Sequence, residues 1–398
     1  MIRINPGIEE YHISFEKNFI SFSSVLNLST RETMLRYLFA FIVFLHGLIH
    51  LLGFVKAFHL SEVSQLTQEI SRPAGLLWLA AAILFLATGA FYLSGNERLW
   101  PLLAFVAIVL SQVLIFLTWQ DAKFGTIANV IILLVAIPAY AGWSFEQSYR
   151  QDVKEGLERT NALEGELLTE AGLQPLPAAV QRYLRYAGAV GKPKVKNMRV
   201  TFKGQMRGKG QDWFDFTAEQ YNFYDDPTRL FFMKASVKGL PANGYHAYKD
   251  KQAGMTVKAL SLFPVVELHG EEMFQSETVT IFNDMCLMAP ATLISDRIKW
   301  EPLDEMSARA VFTNQGISIS ATLYFNEQGQ LIDFVSDDRY DVAEMKQYRF
   351  STPVSDYRNF GGYNIMSFGE AVWHYPDGEF VYGKFDLQRV EYNVTELK

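Results

Sequence analysis

Four long apolar stretches dominate the first third of the chain, and an alternation of apolar and polar positions dominates the rest. Uncharged runs extend from Tyr37 to Val55, Pro73 to Asn96, Leu99 to Gln120 and Phe124 to Phe145. Each is close to the roughly 20 residues an α-helix needs to cross a hydrocarbon core. Backbone groups inside lipid must pair within their own segment, so these runs predict four transmembrane helices, with Pro138 a tolerated kink in the fourth. Beyond them, Glu146 to Gly172 is charged and helix-compatible and reads as a connector leaving the membrane. A further helical piece, Pro177 to Tyr186, places Val180, Tyr183 and Leu184 on one side before Gly188 and Gly191 end it.

From Met198 onward the period becomes two. Met198, Val200 and Phe202 alternate with Arg199, Thr201 and Lys203, and Phe214, Phe216 and Ala218 alternate with Asp215, Thr217 and Glu219. Ile317, Ile319, Ala321, Leu323 and Phe325 alternate with Ser318, Ser320, Thr322 and Tyr324. These patterns predict half-buried antiparallel strands. Turn residues stand between them at Asp226-Pro227, Asn314-Gln315-Gly316, Asn326-Glu327-Gln328-Gly329 and Pro376-Asp377-Gly378. One segment breaks the alternation: between Ser276 and Pro290, residues Phe282, Met285, Cys286 and Ala289 fall at helical spacing. The expectation is an α+β domain in which one amphipathic helix covers a curved antiparallel sheet or open β-barrel.

The resulting division is an N-terminal extension at 1–33, a four-helix transmembrane part at 34–145, a helical linker at 146–175 and a β-rich soluble domain at 176–398. The first 33 residues have no signal-peptide layout, and Met34 followed by Arg36 resembles an ordinary membrane-protein start, so the extension reads as a start-site artefact. Near the ends of the spans, Arg31, Arg36, Arg98, Arg150, Lys154 and Arg159 fall on one side, and Lys56, Arg72 and Lys123 on the other. This count favours a bacterial inner-membrane protein whose soluble domain is cytoplasmic.

A formal charge of −7 with no concentrated Lys/Arg face excludes nucleic acid as a partner. The single cysteine, Cys286, allows no internal disulfide and sits in an apolar run, where a buried structural thiol is expected.

The segment Ser276-Glu277-Thr278-Val279-Thr280-Ile281-Phe282-Asn283-Asp284-Met285-Cys286-Leu287 is followed by Trp300-Glu301, Phe312-Thr313-Asn314, Ser336-Asp337-Asp338-Arg339-Tyr340 and Ser351-Thr352-Pro353-Val354. Together these resemble an uncharacterised bacterial family, one of the numbered domains of unknown function, over roughly Leu176 to Val394. The label implies no chemistry. The order of strands and helix is in turn similar to the lipoprotein-carrier (LolA-like) fold, an incomplete barrel that holds acyl chains. The four-span front part is similar to small membrane proteins of the DoxX type.

Two constellations are candidate sites. His46 and His50 stand four apart in the first span and share a helix face, the geometry for two metal or haem ligands or for a polar seam between helices. Gln112 and Asn129 are candidate partners for them. Glu277, Asn283 and Asp284 on the amphipathic helix, with Asp337, Asp338 and Arg339 at a strand end, are ligand-binding candidates if the fold brings them together; helix capping and a turn salt bridge are the alternative. His269-Gly270-Glu271-Glu272 lacks metal-site spacing and reads as a surface loop. No Ser/His/Asp elbow, phosphate loop or CxxC is present, so catalysis is left open and no cofactor is assigned. The leading expectation is a membrane-anchored protein, with lipids and a hydrophobic small molecule as partners, whose β-rich domain binds that molecule. A redox or metal/haem protein using the His pair, and a sensory or protein-interaction module, are the alternatives.

Overall fold

The computed structural model describes residues 33–163 and 165–398, so the reading of 1–33 as an extension lies outside the described residues but for Thr33. Two compact units divide between Trp143 and Ser144.

The first unit holds helices α1 (Thr33–Ala57), α2 (Arg72–Leu93) and α3 (Leu99–Leu117), and the start of α4 (Gly125–Asn161); all four are long and apolar enough to cross a membrane. The Ser71 hydroxyl accepts from the Ala74 amide at 3.4 Å at the start of α2, where Pro73 occupies the first turn. Outward positions are apolar: Phe41, Ile83, Val109, Phe116 and Leu134 are all exposed. Such a surface is unstable in water and stable in hydrocarbon. Inward positions are small or tightly fitted. A Cβ at Gly53 would lie 2.2 Å from the Trp78 ring, so only glycine lets α1 and α2 approach this closely.

The second unit is built on a fourteen-stranded antiparallel sheet among the described residues. Its strands are β1 (Asn197–Met206), β2 (Phe214–Phe223), β3 (Thr228–Val237), β4 (Leu240–Lys249), β5 (Gln252–Ala259), β6 (Phe263–His269), β7 (Ile298–Pro302), β8 (Ser307–Asn314), β9 (Ile317–Phe325), β10 (Leu331–Ser336), β11 (Arg349–Ser351), β12 (Phe368–Tyr375) and β13 (Gly378–Tyr392). They follow the order β6-β5-β4-β3-β2-β1-β13-β12-β11-β10-β9-β8-β7, with Val354–Ser355 pairing β12 off that path. The predicted strands and turns fall where the alternation and the turn residues placed them.

The sheet curls. Strands β4 and β8 stand nine places apart in that order, about 43 Å on a flat sheet at ~4.8 Å per strand. Yet Asn314 Nδ2 of β8 donates to Tyr248 Oη of β4 at 2.7 Å. It does not close, because the end strands β6 and β7 do not pair.

Helix α5 (Ala178–Tyr186) covers part of the core, and α6 (Glu271–Met288) runs between β6 and β7. Phe282 of α6 stacks on Phe312 of β8 at 5.1 Å, and Phe274 stacks on Tyr248 at 4.9 Å, so α6 touches both arms of the curled sheet. Two expectations need correction here. The helix begins at Glu271 rather than Ser276, which makes His269 a strand end and Glu271 and Glu272 a helix first turn instead of a loop. It is also buried almost all round rather than on one face. An amphipathic stripe is the signature of a helix with a wet side, and α6 has none because the sheet wraps it. Cys286 is fully buried within it, and burial pushes its thiol well above the usual range.

The expected connector is a continuous helix only to Asn161, where α4 ends, and that part packs. Tyr149, Val153 and Leu157 bury against Tyr221, Phe223, Leu230 and Phe232 on the outer face of β2 and β3. A Cβ at Gly156 would lie 2.4 Å from the Phe223 ring, so glycine is required at this contact. Strands β2 and β3 are therefore covered on both faces, and their inward positions look into the interior of the curl.

Candidate functional site

That interior contains a cavity of about 550 Å³ between α6 and the sheet. Alternation decides what faces it. On β3, Arg229, Phe231 and Met233 point in while Leu230 and Phe232 point out towards α4; on β2, Gln220 points in. Sulfur and aromatic carbon are prominent in the wall: Met206, Met233, Met255, Met273, Met288 and Met366 line it, with Phe231, Phe350, Trp373 and Phe385. Methionine is unbranched and polarisable, so such a wall adapts to irregular apolar shapes.

A small polar cluster interrupts this wall. Arg229 donates through Nε to Asp284 Oδ2 at 2.9 Å, through Nη1 to Glu277 Oε2 at 3.1 Å and through Nη2 to Gln220 Oε1 at 3.0 Å. Asp284 Oδ2 also accepts from Gln220 Nε2 at 2.7 Å and Asn222 Nδ2 at 3.0 Å. Burial pushes the Asp284 carboxyl above its ordinary range, with Arg229 and the amide donors opposing it. His246, beside this cluster, is driven down to about 3 by burial and by the Arg229 and Arg339 charges, and so is neutral. On α6, Asn283 Nδ2 donates to Thr352 Oγ1 at 2.8 Å, while its Oδ1 is buried without a partner.

Of the six ligand-binding candidates, Glu277, Asn283, Asp284 and Arg339 line this cavity. Asp337 and Asp338 do not. Asp337 accepts from Arg349 Nε at 3.0 Å on the exposed side, and Asp338 Oδ2 caps the Ser320 amide at 2.6 Å. Three consecutive residues leaving a strand point different ways, so only one of them enters the site. Sequence reasoning missed Arg229, Gln220 and His246. Arg229 carried a legible signal, a lone charge before the apolar run Leu230-Phe231-Phe232-Met233. No local pattern marked the other two.

In the first unit, His46 Nε2 pairs with Asn129 Oδ1 at 2.9 Å, His50 Nδ1 with the His46 carbonyl at 2.8 Å and His50 Nε2 with Ser111 Oγ at 3.0 Å. Gln112 reaches Asn129, not a histidine, and Ser111 was unforeseen. The two rings lie edge to face with centroids 4.7 Å apart, which leaves no room for a macrocycle between them. Three of their four nitrogens face protein partners, the arrangement of a polar seam between helices. Among the described residues there is no cluster of three or more His, Cys, Asp or Glu able to hold a metal ion.

On the outer face of the sheet, Ser351 Oγ lies 2.8 Å from His374 Nε2, whose Nδ1 lies 3.3 Å from Glu379 Oε1. The order of contacts is that of an acyl-transfer triad. The setting is not, since Ser351 is buried in a strand paired on both sides, with its backbone committed to the ladder rather than to an oxyanion hole.

Residues 166–385, more than half of the chain, match a family of unknown function, DUF6544. The chain belongs to that family. The match agrees with the resemblance read from the residues, and every residue lining the cavity, from Phe202 to Phe385, falls inside it. It does not reach the apolar helices, and the DoxX-type likeness finds no support. No curated protein matches the chain. Among solved structures, the chain is similar to a LolA superfamily protein from Nitrosomonas europaea, at 10% identity and a TM-score of 0.32, over 53% of this chain and 92% of that one. A likeness that distant bears neither on the fold of the sheet nor on what fills it.

Proposed function

We propose that this is a membrane-anchored protein whose β-rich unit binds a hydrophobic or lipid-like molecule in the cavity beside α6. The observation that carries the reading is the cavity itself: about 550 Å³, its exposed surface mostly apolar and rich in Met and aromatic side chains, with polar and charged groups among them. That is the volume and make-up of a small-molecule site, for which roughly 300–1,000 Å³ is usual. The exposed wall is mainly apolar and offers water few partners. The four apolar helices supply the anchor, and the Lys/Arg count supports an inner-membrane protein with this unit in the cytoplasm.

The test is native mass spectrometry of the full chain purified in lipid nanodiscs. A molecule that stays with the wild type and is lost in Ala371→Phe, which pushes a ring into the cavity, is the expected result. A protein that arrives empty and takes up no fluorescent fatty-acid probe refutes the proposal. For the side of the membrane, alkaline phosphatase and fluorescent-protein fusions at Lys398 report in opposite compartments, and a phosphatase-active fusion overturns the cytoplasmic placement.

A further inference from the structure

Resting on the reading of the cavity as a ligand site, the charges around it separate into those that are spent and those that are not. Arg229 is committed to Asp284 and Glu277, and Lys209 pairs with Asp377 at 2.8 Å. Asp341 accepts from Tyr375 Oη at 3.0 Å and Glu344 from Tyr348 Oη at 2.7 Å, contacts that orient these two carboxylates without cancelling their charge. Two cations lining the cavity differ: Arg207 and Arg339 have no carboxylate within 4.0 Å among the described residues.

Both lie against aromatic rings. The Arg339 guanidinium lies 4.1 Å from the Phe350 ring, 5.3 Å from Trp373 and 6.0 Å from Tyr382. Arg207 lies 4.4 Å from the Trp213 ring, outside the cavity lining, and 5.2 Å from Phe380, on the hairpin that carries Trp373 and Tyr382, and its Nε donates to the Val381 carbonyl at 2.9 Å. Ring faces hold a guanidinium in place without neutralising it. Arg339 uses one donor within the protein, Nη1 to Tyr382 Oη at 2.8 Å, and its Nε is buried with no partner. A guanidinium carries five donors in a fixed fork that matches an oxyanion, and a buried donor without a partner costs free energy. Arg339 is thus held against its rings and short of an acceptor, and Arg207 is held by its rings and the Val381 carbonyl with no carboxylate to neutralise it.

We propose that the ligand is a single-chain amphiphile with an anionic head, its chain lying along the Met-rich wall and its carboxylate or phosphate oxygens bound by Arg339 with Arg207. Size agrees: at about 30 Å³ per heavy atom, water's share of its own liquid, 550 Å³ holds on the order of 18 heavy atoms, one acyl chain with its head. The cation of the polar cluster, Arg229, is already paired with Asp284 and Glu277.

The experiment measures equilibrium binding of radiolabelled oleate, oleyl phosphate and oleyl alcohol to the full chain in phosphatidylcholine nanodiscs. The wild type should bind the anions at least about tenfold more tightly than the alcohol, and the tighter anion identifies the head as carboxylate or phosphate. Arg339→Gln should remove that preference, a loss of about tenfold to a hundredfold for the anions, with the alcohol within about twofold. Equal binding of all three to the wild type overturns the headgroup site and leaves the apolar cavity standing. Failure of all three to bind overturns the cavity reading itself. Should Arg339→Gln lose every ligand, Arg339→Lys decides. Restored alcohol binding with part of the preference supports the headgroup site, and total loss shows that Arg339 only holds the wall together.

Discussion

Arg229→Met tests the polar cluster at the heart of the β-rich unit. The substitution keeps most of the side-chain stem and removes a guanidinium that pairs with Asp284 at 2.9 Å and Glu277 at 3.1 Å, so two buried carboxylates lose their cation. Breaking a buried pair from one side costs roughly 3–5 kcal/mol. For a unit of this size 1 kcal/mol moves the melting temperature by about 2–4 °C, so the loss should be on the order of 10 °C. The sign of its pH dependence follows from Asp284, whose carboxyl burial holds above its ordinary range. A raised carboxyl contributes stability that is intact below the unfolded value, about 3.9, and is lost as pH rises through the folded value. Without Arg229 the main opposing attraction is gone and the folded value rises further, so the variant should fall further below wild type at about pH 8 than near pH 5. The assay is thermal unfolding of the full chain in nanodiscs, followed by tryptophan fluorescence, because Trp213, Trp300 and Trp373 lie in this unit. Adding Glu277→Gln and Asp284→Asn removes the uncompensated charges and should recover much of the loss. A single variant melting within about 2 °C of wild type, or one that suffers more near pH 5, would refute the account.

Tyr248→Phe removes the acceptor for Asn314 across the curl and should cost about 1–3 kcal/mol, read as faster amide exchange in β4 and β8. Phe282→Ala opens a hole between Phe312 and Phe334 and should cost about 3–5 kcal/mol in the same melting assay. Burial raises Asp333 to about 6, so its contribution is present at acid pH and lost as pH rises through 6. Asp333→Asn should therefore raise the melting temperature above that pH, with the gain fading below about pH 4; a gain that grows towards acid contradicts the assignment. Gly156→Ala should destabilise the packing of α4 on β2, because its new methyl meets the Phe223 ring, and an unchanged melting temperature shows that this contact is not tight.

Much of this protein is local and was legible in the chain. Four apolar runs, the switch to a two-residue period at Met198 and the turns at Asp226-Pro227 and Asn314-Gln315-Gly316 are short-range consequences of side-chain hydrophobicity and backbone preference. Family membership was carried the same way, in contiguous segments around Ser276–Leu287 and Ser336–Tyr340. The tertiary structure decided what no window of sequence contains. The curl brings β4 and β8 together from nine strands apart, and with it α6 loses the wet face that its spacing predicted. Arg229 and Asp284 lie 55 residues apart and meet only because β3 forms one wall of the cavity and α6 another. Asp337, Asp338 and Arg339 are neighbours in sequence and part company in space, so only the arginine reaches the cavity. Periodicity reports which side of an element is apolar, and the chain alone could say that much. Which sides face one another, and the space they leave between them, is set by long-range strand pairing that depends on the whole sheet at once.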